Sequence, residues 1–474
     1  MFCAFFSETD PFEIKSVSFL KKVVSKPPEL AMSYASFSPI TLTMQSDTKP
    51  ATFRLFLMMF LEFFIWGSWL PLIFGYLKGI GFESFDRSLI LNTFSFGAIT
   101  ALFFSAQFAD RKFSAEKFMS VSHLIGGLSI LALSWTHSFW PFFTLMLVHS
   151  LFYVPTISIA NSIAFTHMKD AKKEFGIVRM GGTVGWIAAS WPFVFILVDW
   201  SKVPKFGSVP FTDWLGEALK YGKTGDAMIQ STSSIFLVAG IASLVLAVLS
   251  LGLPHTPPKE KTGEPLAWLE AMRLLKIPYV LVLFIVTFMD AIVHNFYFSW
   301  AGPFLEQIGI ASNWIMPVMS IGQIAEILTM MALGLVLKRL GWRKTMILGL
   351  LGYAIRFLVY SFAGDYKELV IAINVLHGVC YAFFFATLYI FVDEAFPKDA
   401  RSSAQGLFNL LILGLGPLVA FFVSQPLQDA FTHAGKTDYH TLFLIPAGIS
   451  LAATAFLAFA FRPPTETVEG EVGL

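Results

Sequence analysis

The chain contains about twelve apolar stretches, and each is long enough to cross the ~30 Å hydrocarbon core of a bilayer as a helix. Polar segments, most of them short, separate these stretches. We therefore expect an all-α polytopic membrane protein whose immediate surroundings are the lipid bilayer. The expected spans are 53–77, 88–108, 116–135, 139–166, 177–198, 232–253, 277–303, 312–337, 344–363, 368–392, 402–424 and 441–461.

Composition supports this class. Charged residues make up 14% of the chain, against about a quarter in soluble domains, and the AVILMFWYC set makes up 55%. Mean hydropathy is +0.67. The net charge of +1 gives no basic surface of the kind that binds nucleic acid, so we expect no nucleic-acid partner. Cys3 and Cys380 suggest neither a disulfide framework nor a metal cluster, and no metal is expected.

Lys and Arg residues are unevenly divided between the two sets of loops. They concentrate after the second, fourth, sixth, eighth and tenth spans, and are fewer on the other side, where the longer 199–231 loop carries four lysines. In membrane proteins the cytoplasmic loops carry such an excess. Both termini are therefore expected in the cytoplasm, which requires an even number of spans.

The polar segments divide the chain into five parts. Residues 1–50 are interpreted as a disordered extension or a misassigned start, with Met44 as the alternative start. Six-helix bundles are expected over 51–253 and 276–462. The segment 254–275 is polar, Pro-rich and then amphipathic, which indicates a cytoplasmic linker, and 463–474 are expected to form a cytoplasmic tail.

Two polar faces occur within the apolar stretches. Arg179, Thr183 and Trp186 recur at i, i+4 and i+7. Gln323 and Glu326 recur at i and i+3, so each set lies on one helix face. Such faces usually line a polar path through the membrane. The alternative for Arg179 is a helix-end arginine that reaches the lipid headgroups.

The two halves carry a weak internal repeat. QFADRK at 107–112 follows the second span, and GLVLKRLGWRK at 334–344 follows the eighth. Both resemble the charged loop of the major facilitator superfamily. The resemblance implies two parallel bundles around a central site, opened alternately to either side, and usually a monomer. It also suggests that Asp110, Arg111 and Arg343 act at the cytoplasmic gate.

Further motifs resemble one family within that superfamily. They are WGSWL at 66–70, RMGGTVGW at 179–186, SIGQIAE at 320–326, HG at 377–378 and ARSSAQG at 400–406. In this order they are similar to the bacterial nucleoside:proton symporters, and the similarity extends from about residue 52 to 462. It implies a secondary transporter of the cell inner membrane that imports nucleosides and is driven by the proton gradient, with no cofactor.

The resemblance also implies a nucleoside site drawn from both halves. Ribose hydroxyls need carboxylate or amide acceptors, base carbonyls and ring nitrogens need donors, and the flat base needs an aromatic face. Phe298 departs from the family, which has a second amide in that position. The implied substrate-binding residues are Arg179, Thr183, Trp186, Asn295, Gln323, Glu326, His377 and Tyr381.

The proton-coupling group is less clearly implied. Members of the family commonly carry an aspartate where this chain has Ala382, and alanine cannot titrate. The candidates, in order, are Glu326, Glu62, Asp290 and His377. Glu326 comes first because a carboxyl group removed from water can be neutralised during the cycle.

Several of these charged and polar residues also have structural interpretations. Glu62 could be hydrogen-bonded between helices, and Asp290 and His294, at i and i+4, could form a satisfied pair. Arg356 and Asp393 are expected at peripheral positions, in ion pairs or gating contacts.

Other functions stay open on the sequence alone. An uncoupled facilitator is one alternative, and a transporter of another polar solute, a sugar or a nucleobase, is a second. A non-transporting receptor and a membrane enzyme are more remote. The chain carries none of the common phosphate-loop, dinucleotide or metalloprotease motifs, so enzymatic chemistry has little support.

Overall fold

A computed structural model of the chain describes residues 48–104, 113–168, 171–258, 272–396 and 398–463. The predictions for Asp110 and Arg111 lie outside these ranges. So do those for most of the 1–50 extension, the central part of the 254–275 linker and nearly all of the C-terminal tail.

Twelve membrane spans are present in the described ranges. Nine helical stretches are long and apolar enough to cross a membrane, and one of them, Ser312–Phe362, consists of two spans. Ser84–Phe104 and Ala171–Ala188 pack among these and complete the set. The predicted all-α, twelve-span fold is therefore confirmed.

The first six spans form the N-terminal half, and their helices are Thr48–Gly79, Ser84–Phe104, Ala115–Ala132, Phe139–His167, Ala171–Ala188 and Ser234–Leu251. The last six form the C-terminal half. Their helical segments are Pro278–Gln307, Ser312–Phe362 (the eighth and ninth spans), Lys367–Ile373, Leu376–Cys380, Thr387–Ala395, Lys398–Asn409, Gly416–Ala430 and Tyr439–Ala460. A short antiparallel β-hairpin precedes the twelfth span, and its strands are Thr432–His433 and Lys436–Thr437.

The eighth and ninth spans meet at a sharp corner. Gly341 has φ +70° and ψ 174°, which breaks the otherwise continuous helix Ser312–Phe362. A residue with a Cβ would be strained in this conformation, so glycine is required here. The corner lies between the predicted spans 312–337 and 344–363, as the charged loop between them requires.

Three spans differ in detail from the prediction. The fifth ends at Ala188 rather than continuing to 198, and the short helix Trp191–Ile196 follows it. Pro192 accounts for the break, because it has no N–H to donate to the carbonyl of the preceding turn. The tenth and eleventh spans each contain a π-helical turn, at Tyr381–Ala386 and Leu410–Leu415.

The two halves share one packing pattern. In the N-terminal half the first span packs on the fifth, the second on the fourth and the third on the sixth. In the C-terminal half the seventh packs on the eleventh, the eighth on the tenth and the ninth on the twelfth. The halves meet along the second and eleventh spans, the first and seventh, and the fifth and eighth. This repeat leaves a space between two similar bundles.

Candidate functional site

A cavity of about 720 Å³ lies between the two halves. Its walls come from both bundles, and its volume lies in the range of small-molecule binding sites. Every residue of the predicted substrate site lines it. From the N-terminal half these are Arg179, Thr183 and Trp186, and from the C-terminal half Asn295, Gln323, Glu326, His377 and Tyr381.

The fifth span supplies the cationic wall of the cavity. Arg179 is only 5% exposed, and its guanidinium carbon lies 4.2 Å from the centre of the Phe63 ring. It is also close enough to Glu326 of the opposite half for a Coulomb attraction. The alternative of an arginine that reaches the headgroups is therefore wrong, because this side chain points into the protein.

Aromatic side chains form a second wall. Trp186 meets Trp66 edge to face at 5.5 Å between ring centroids, and Trp66 stacks on Phe94 at 4.6 Å. Trp186 also contacts Phe298 of the opposite half at 6.1 Å. These rings offer flat faces and edges to a planar ligand. Sequence reasoning had not assigned Trp66 or Phe94 to the site, although Trp66 belongs to the WGSWL motif.

The eighth span supplies the acceptors. Gln323 and Glu326 are each 7% exposed, and both line the cavity. Within the described part of the chain, Oε1 of Gln323 has no hydrogen-bond partner. Buried polar atoms are rarely left unpaired, so this oxygen is well suited to accept a hydrogen bond from a ligand.

Close packing of two spans brings Glu326 next to His377. A Cβ on Gly378 would collide with the backbone of Glu326, so only glycine allows the eighth and tenth spans to approach this closely. This contact explains why HG at 377–378 and QxxE at 323–326 form one wall of the cavity.

A histidine pair continues that wall. The rings of His294 and His377 lie 5.3 Å apart and nearly parallel, at 25°. Nδ1 of His294 lies 2.6 Å from the Tyr353 hydroxyl. Beside them, Asn295 donates from Nδ2 to the carbonyl of Ala291 at 2.8 Å. The alternative of a satisfied pair between His294 and Asp290 does not hold, because His294 bonds to the ninth span and the Asp290 oxygens have no hydrogen-bond partner among the described residues.

Arg356 is a correction to the sequence analysis. It is fully buried rather than peripheral, and it donates from Nη1 to Nδ1 of His377 at 2.8 Å. Its guanidinium carbon also lies 4.0 Å from the centre of the Tyr297 ring. Because a guanidinium can only donate, Nδ1 of His377 is an acceptor and its proton is on Nε2. His377 therefore presents a neutral imidazole with one N–H donor.

Two predicted proton-coupling candidates lie away from the cavity. Glu62 is fully buried, and it accepts hydrogen bonds from His123 Nε2 at 2.9 Å and from Thr156 Oγ1 at 2.8 Å. Tyr153 donates to the Glu62 backbone carbonyl. Asp290 is 1% exposed, and neither carboxylate oxygen has a hydrogen-bond partner among the described residues.

Contacts between the halves close the cavity on the side predicted to be extracytoplasmic. Arg87 of the second span donates to Asp429 at 2.6 Å and to Gln425 at 3.1 Å, both in the eleventh span. The 199–231 loop covers the start of the eighth span, where Trp314 Nε1 donates to the carbonyl of Leu219 at 2.8 Å.

The opposite end of the cavity is lined by residues at the predicted cytoplasmic ends of the spans, among them Phe165, Asp393 and Gln405. Among the described residues the cavity extends to this end while contacts between the halves close the other, an arrangement that is termed inward-facing. Asp393 lies 3.7 Å from Arg401 of the same half. Arg343 is exposed at this end, and its predicted gating role stays a prediction.

Comparisons with known proteins agree with this geometry. The family model for the nucleoside H+ symporters matches residues 50–212 and 206–466. YegT of Escherichia coli (strain K12) is 34% identical over 380 residues, which cover 78% of this chain and 83% of that protein. The xanthosine permease of the same organism is 26% identical, covering 86% of this chain and 95% of that protein.

Solved structures show the same fold. The crystal structure of the nucleoside transporter NupG, in an Asp-to-Ala variant, superimposes with a TM-score of 0.74 at 22% identity, covering 87% of this chain and all of that one. A D-xylose-proton symporter gives a TM-score of 0.61 at 12% identity, covering 89% of this chain and 98% of that one.

The family match covers almost every described residue, and the relatives are permeases rather than enzymes. The two bundles, the cavity between them and the closed outer end are what a transporter of this type requires. The chain is a multi-pass protein of the cell inner membrane and belongs to the nucleoside H+ symporter family.

Proposed function

We propose that this protein imports nucleosides across the inner membrane in symport with protons, by alternating access of the cavity between its halves. The observation that carries the proposal is the convergence of the eight predicted ligand residues, from both bundles, on one inward-facing cavity. A ligand that touches both bundles can favour one orientation of the halves over another, which alternating access requires.

The chemistry of the walls matches the two parts of a nucleoside. Trp186 and Phe298 offer aromatic surface to the base, and Arg179 and Thr183 offer donors to its carbonyls and ring nitrogens. Glu326 and the unpaired Oε1 of Gln323 offer acceptors to the ribose hydroxyls. The transporter would work as a monomer that binds one nucleoside at a time. The proton gradient, rather than a cofactor, would supply the energy for transport.

Uptake of labelled uridine and inosine into proteoliposomes tests the proposal. We expect uptake that rises when an inward-directed proton gradient is imposed, and competition by nucleosides that is much stronger than that by free bases or hexoses. Stronger competition by a sugar or a free base would identify a different substrate class. Uptake that ignores the gradient would make the protein an uncoupled facilitator.

Glu326→Gln tests the assignment of the ribose acceptors. The variant keeps the shape of the side chain but loses the carboxylate, so each hydroxyl contact is weakened. We expect about a tenfold loss of nucleoside affinity, since a hydrogen bond to a charged group contributes about 1.5 kcal/mol or more. Isothermal titration of the purified protein measures this change, and unaltered affinity would contradict the assignment.

A further inference from the structure

The C-terminal half buries a carboxylate that the substrate site does not use. Asp290 lies on the seventh span, outside the cavity lining, and is 1% exposed. Both of its oxygens lack hydrogen-bond partners within the described ranges. An isolated ionised carboxylate at such depth is costly, and buried polar groups are normally paired.

Among the described residues, the cation that attracts Asp290 is itself only partly paired. Arg356 is close enough for a Coulomb attraction to the carboxylate, and its Nη1 is used by His377. Its Nε and Nη2 have no hydrogen-bond partner in the described part of the chain. The guanidinium is thus held by aromatic rings and one histidine, with donors left over for a second acceptor.

The described groups around Asp290 lie on the seventh, ninth and tenth spans. Arg356 and Tyr353 of the ninth span and Cys380 of the tenth interact with it electrostatically. His294 lies one turn along the same helix, and its Nδ1 is 2.6 Å from the Tyr353 hydroxyl. His294 lines the cavity, so this histidine and its bonded tyrosine lie between the cavity and the buried carboxylate.

We propose that Asp290 binds and releases the transported proton, with Arg356 as its counter-charge and with His294 and Tyr353 as its connection to the cavity. The proposal rests on the proposed function and names its coupling site. A proton enters on His294, which passes one from Nδ1 to the Tyr353 oxygen. The Tyr353 hydroxyl and the Asp290 carboxylate are not hydrogen-bonded in this structure, so a side-chain rotation must bring them together before Tyr353 passes its own hydroxyl proton to the carboxylate. Each relay group gains one proton and loses one, and Asp290 changes from carboxylate to carboxylic acid.

The same cluster links the proton to the substrate. His377 borders the cavity and is bonded to Arg356, so a nucleoside that engages His377 acts on the counter-charge of Asp290. When Asp290 is protonated, Arg356 loses its ionic partner and binds His377 alone. Glu326 differs, because it faces Arg179 and the ligand directly, and it is expected to serve as an acceptor throughout.

Asp290→Asn tests the inference in proteoliposomes, with two assays on the same preparation. Nucleoside counterflow needs alternating access but no net proton movement, whereas accumulation needs coupling. A gradient of one pH unit sustains about tenfold accumulation by a one-proton symporter. We expect wild-type accumulation near this value, none in Asp290→Asn, and counterflow in the variant within about twofold of wild type. Glu217→Gln, which neutralises an exposed carboxylate on the outer helix Phe211–Lys220, is the matched control and is expected to accumulate nucleoside to the wild-type level.

The outcomes separate this inference from the proposed function. Absence of both activities in the wild type would overturn the proposed function itself. Normal accumulation by Asp290→Asn would overturn the inference alone. If Asp290→Asn loses counterflow as well, uridine-induced proton uptake by the detergent-solubilised protein decides, with Asp290→Glu alongside it. Proton uptake that persists in Asp290→Asn, or that is not restored in Asp290→Glu, overturns the inference.

Discussion

Each half of the protein buries a carboxylate away from the cavity, and the two halves treat it differently. Glu62 accepts hydrogen bonds from His123 of the third span and Thr156 of the fourth. Asp290 has no hydrogen bond to its oxygens in the described ranges, and Arg356 supplies only a nearby charge. A fully bonded carboxylate fixes three helices in one arrangement, whereas one without such bonds can change its protonation with little structural change.

The largest expected effect is on the stability of the N-terminal network. Glu62→Gln removes a charge-assisted acceptor and places an NH2 group against a donor, so we expect the free energy of unfolding to fall by about 3 kcal/mol. Asp290→Asn, the matched change, breaks no hydrogen bond and should alter it by less than about 1 kcal/mol. Denaturant unfolding in detergent micelles measures both. Equal losses in the two variants would remove the distinction between the two carboxylates.

The second effect concerns the counter-charge in the C-terminal half. Arg356→Gln removes contacts with Tyr297, Tyr353 and Phe357, and should lower the free energy of unfolding by about 2 kcal/mol, the size of a desolvated cation–π interaction. In the double variant with Asp290→Asn, the change in the free energy of unfolding should differ from the sum of the two single changes by about 1 kcal/mol, because each substitution removes the charged partner of the other residue. Strict additivity would show that the two side chains do not interact.

The smallest effect concerns an ion pair that joins the halves rather than lying within one. Asp429→Asn leaves Arg87 without its carboxylate partner at the outer closure. We expect the inward-facing population to fall by roughly fivefold relative to the outward-facing one, for a loss of about 1 kcal/mol. Distances between spin labels at positions 85 and 423 measure the change.

A pair within the same half provides the control for that measurement. Glu217→Gln removes an exposed partner of Lys220, and this ion pair lies within the outer helix Phe211–Lys220. It should leave the label distances unchanged. A shift of similar size in both variants would show that surface charge alone, rather than the contact between halves, sets the distribution.

Much of the fold could be predicted from the sequence because each span carries its own signal. Length and hydropathy located twelve spans, and Gly341 falls between two of them. The end of the fifth span could not be read from hydropathy, since residues after Ala188 stay apolar and the break depends on Pro192. Nor does hydropathy distinguish α-helix from the π-helical turn that contains Tyr381.

The site was predicted as a set of residues, but the partners of those residues were not. The eight proposed ligand residues lie in one cavity, and their individual roles stay predictions. Arg356 was expected at the periphery from its position in the span. The expectation failed because the burial of this side chain depends on how the helix is rotated within the bundle. His294 was considered with Asp290 because both lie on one helix, whereas its partner is Tyr353 on another.

The sequence by itself determined the class of the protein, its twelve spans and the residue types of its polar faces. These follow from composition and periodicity, which act locally along the chain. Only the tertiary structure decided which buried charge has partners. Glu62 and Asp290 are both carboxylates in apolar helices. Glu62 is hydrogen-bonded by side chains 61 and 94 residues away in the sequence, whereas Asp290 has only the nearby charge of Arg356 on another span. Electrostatic interactions depend on distance in space, which the order of residues does not specify.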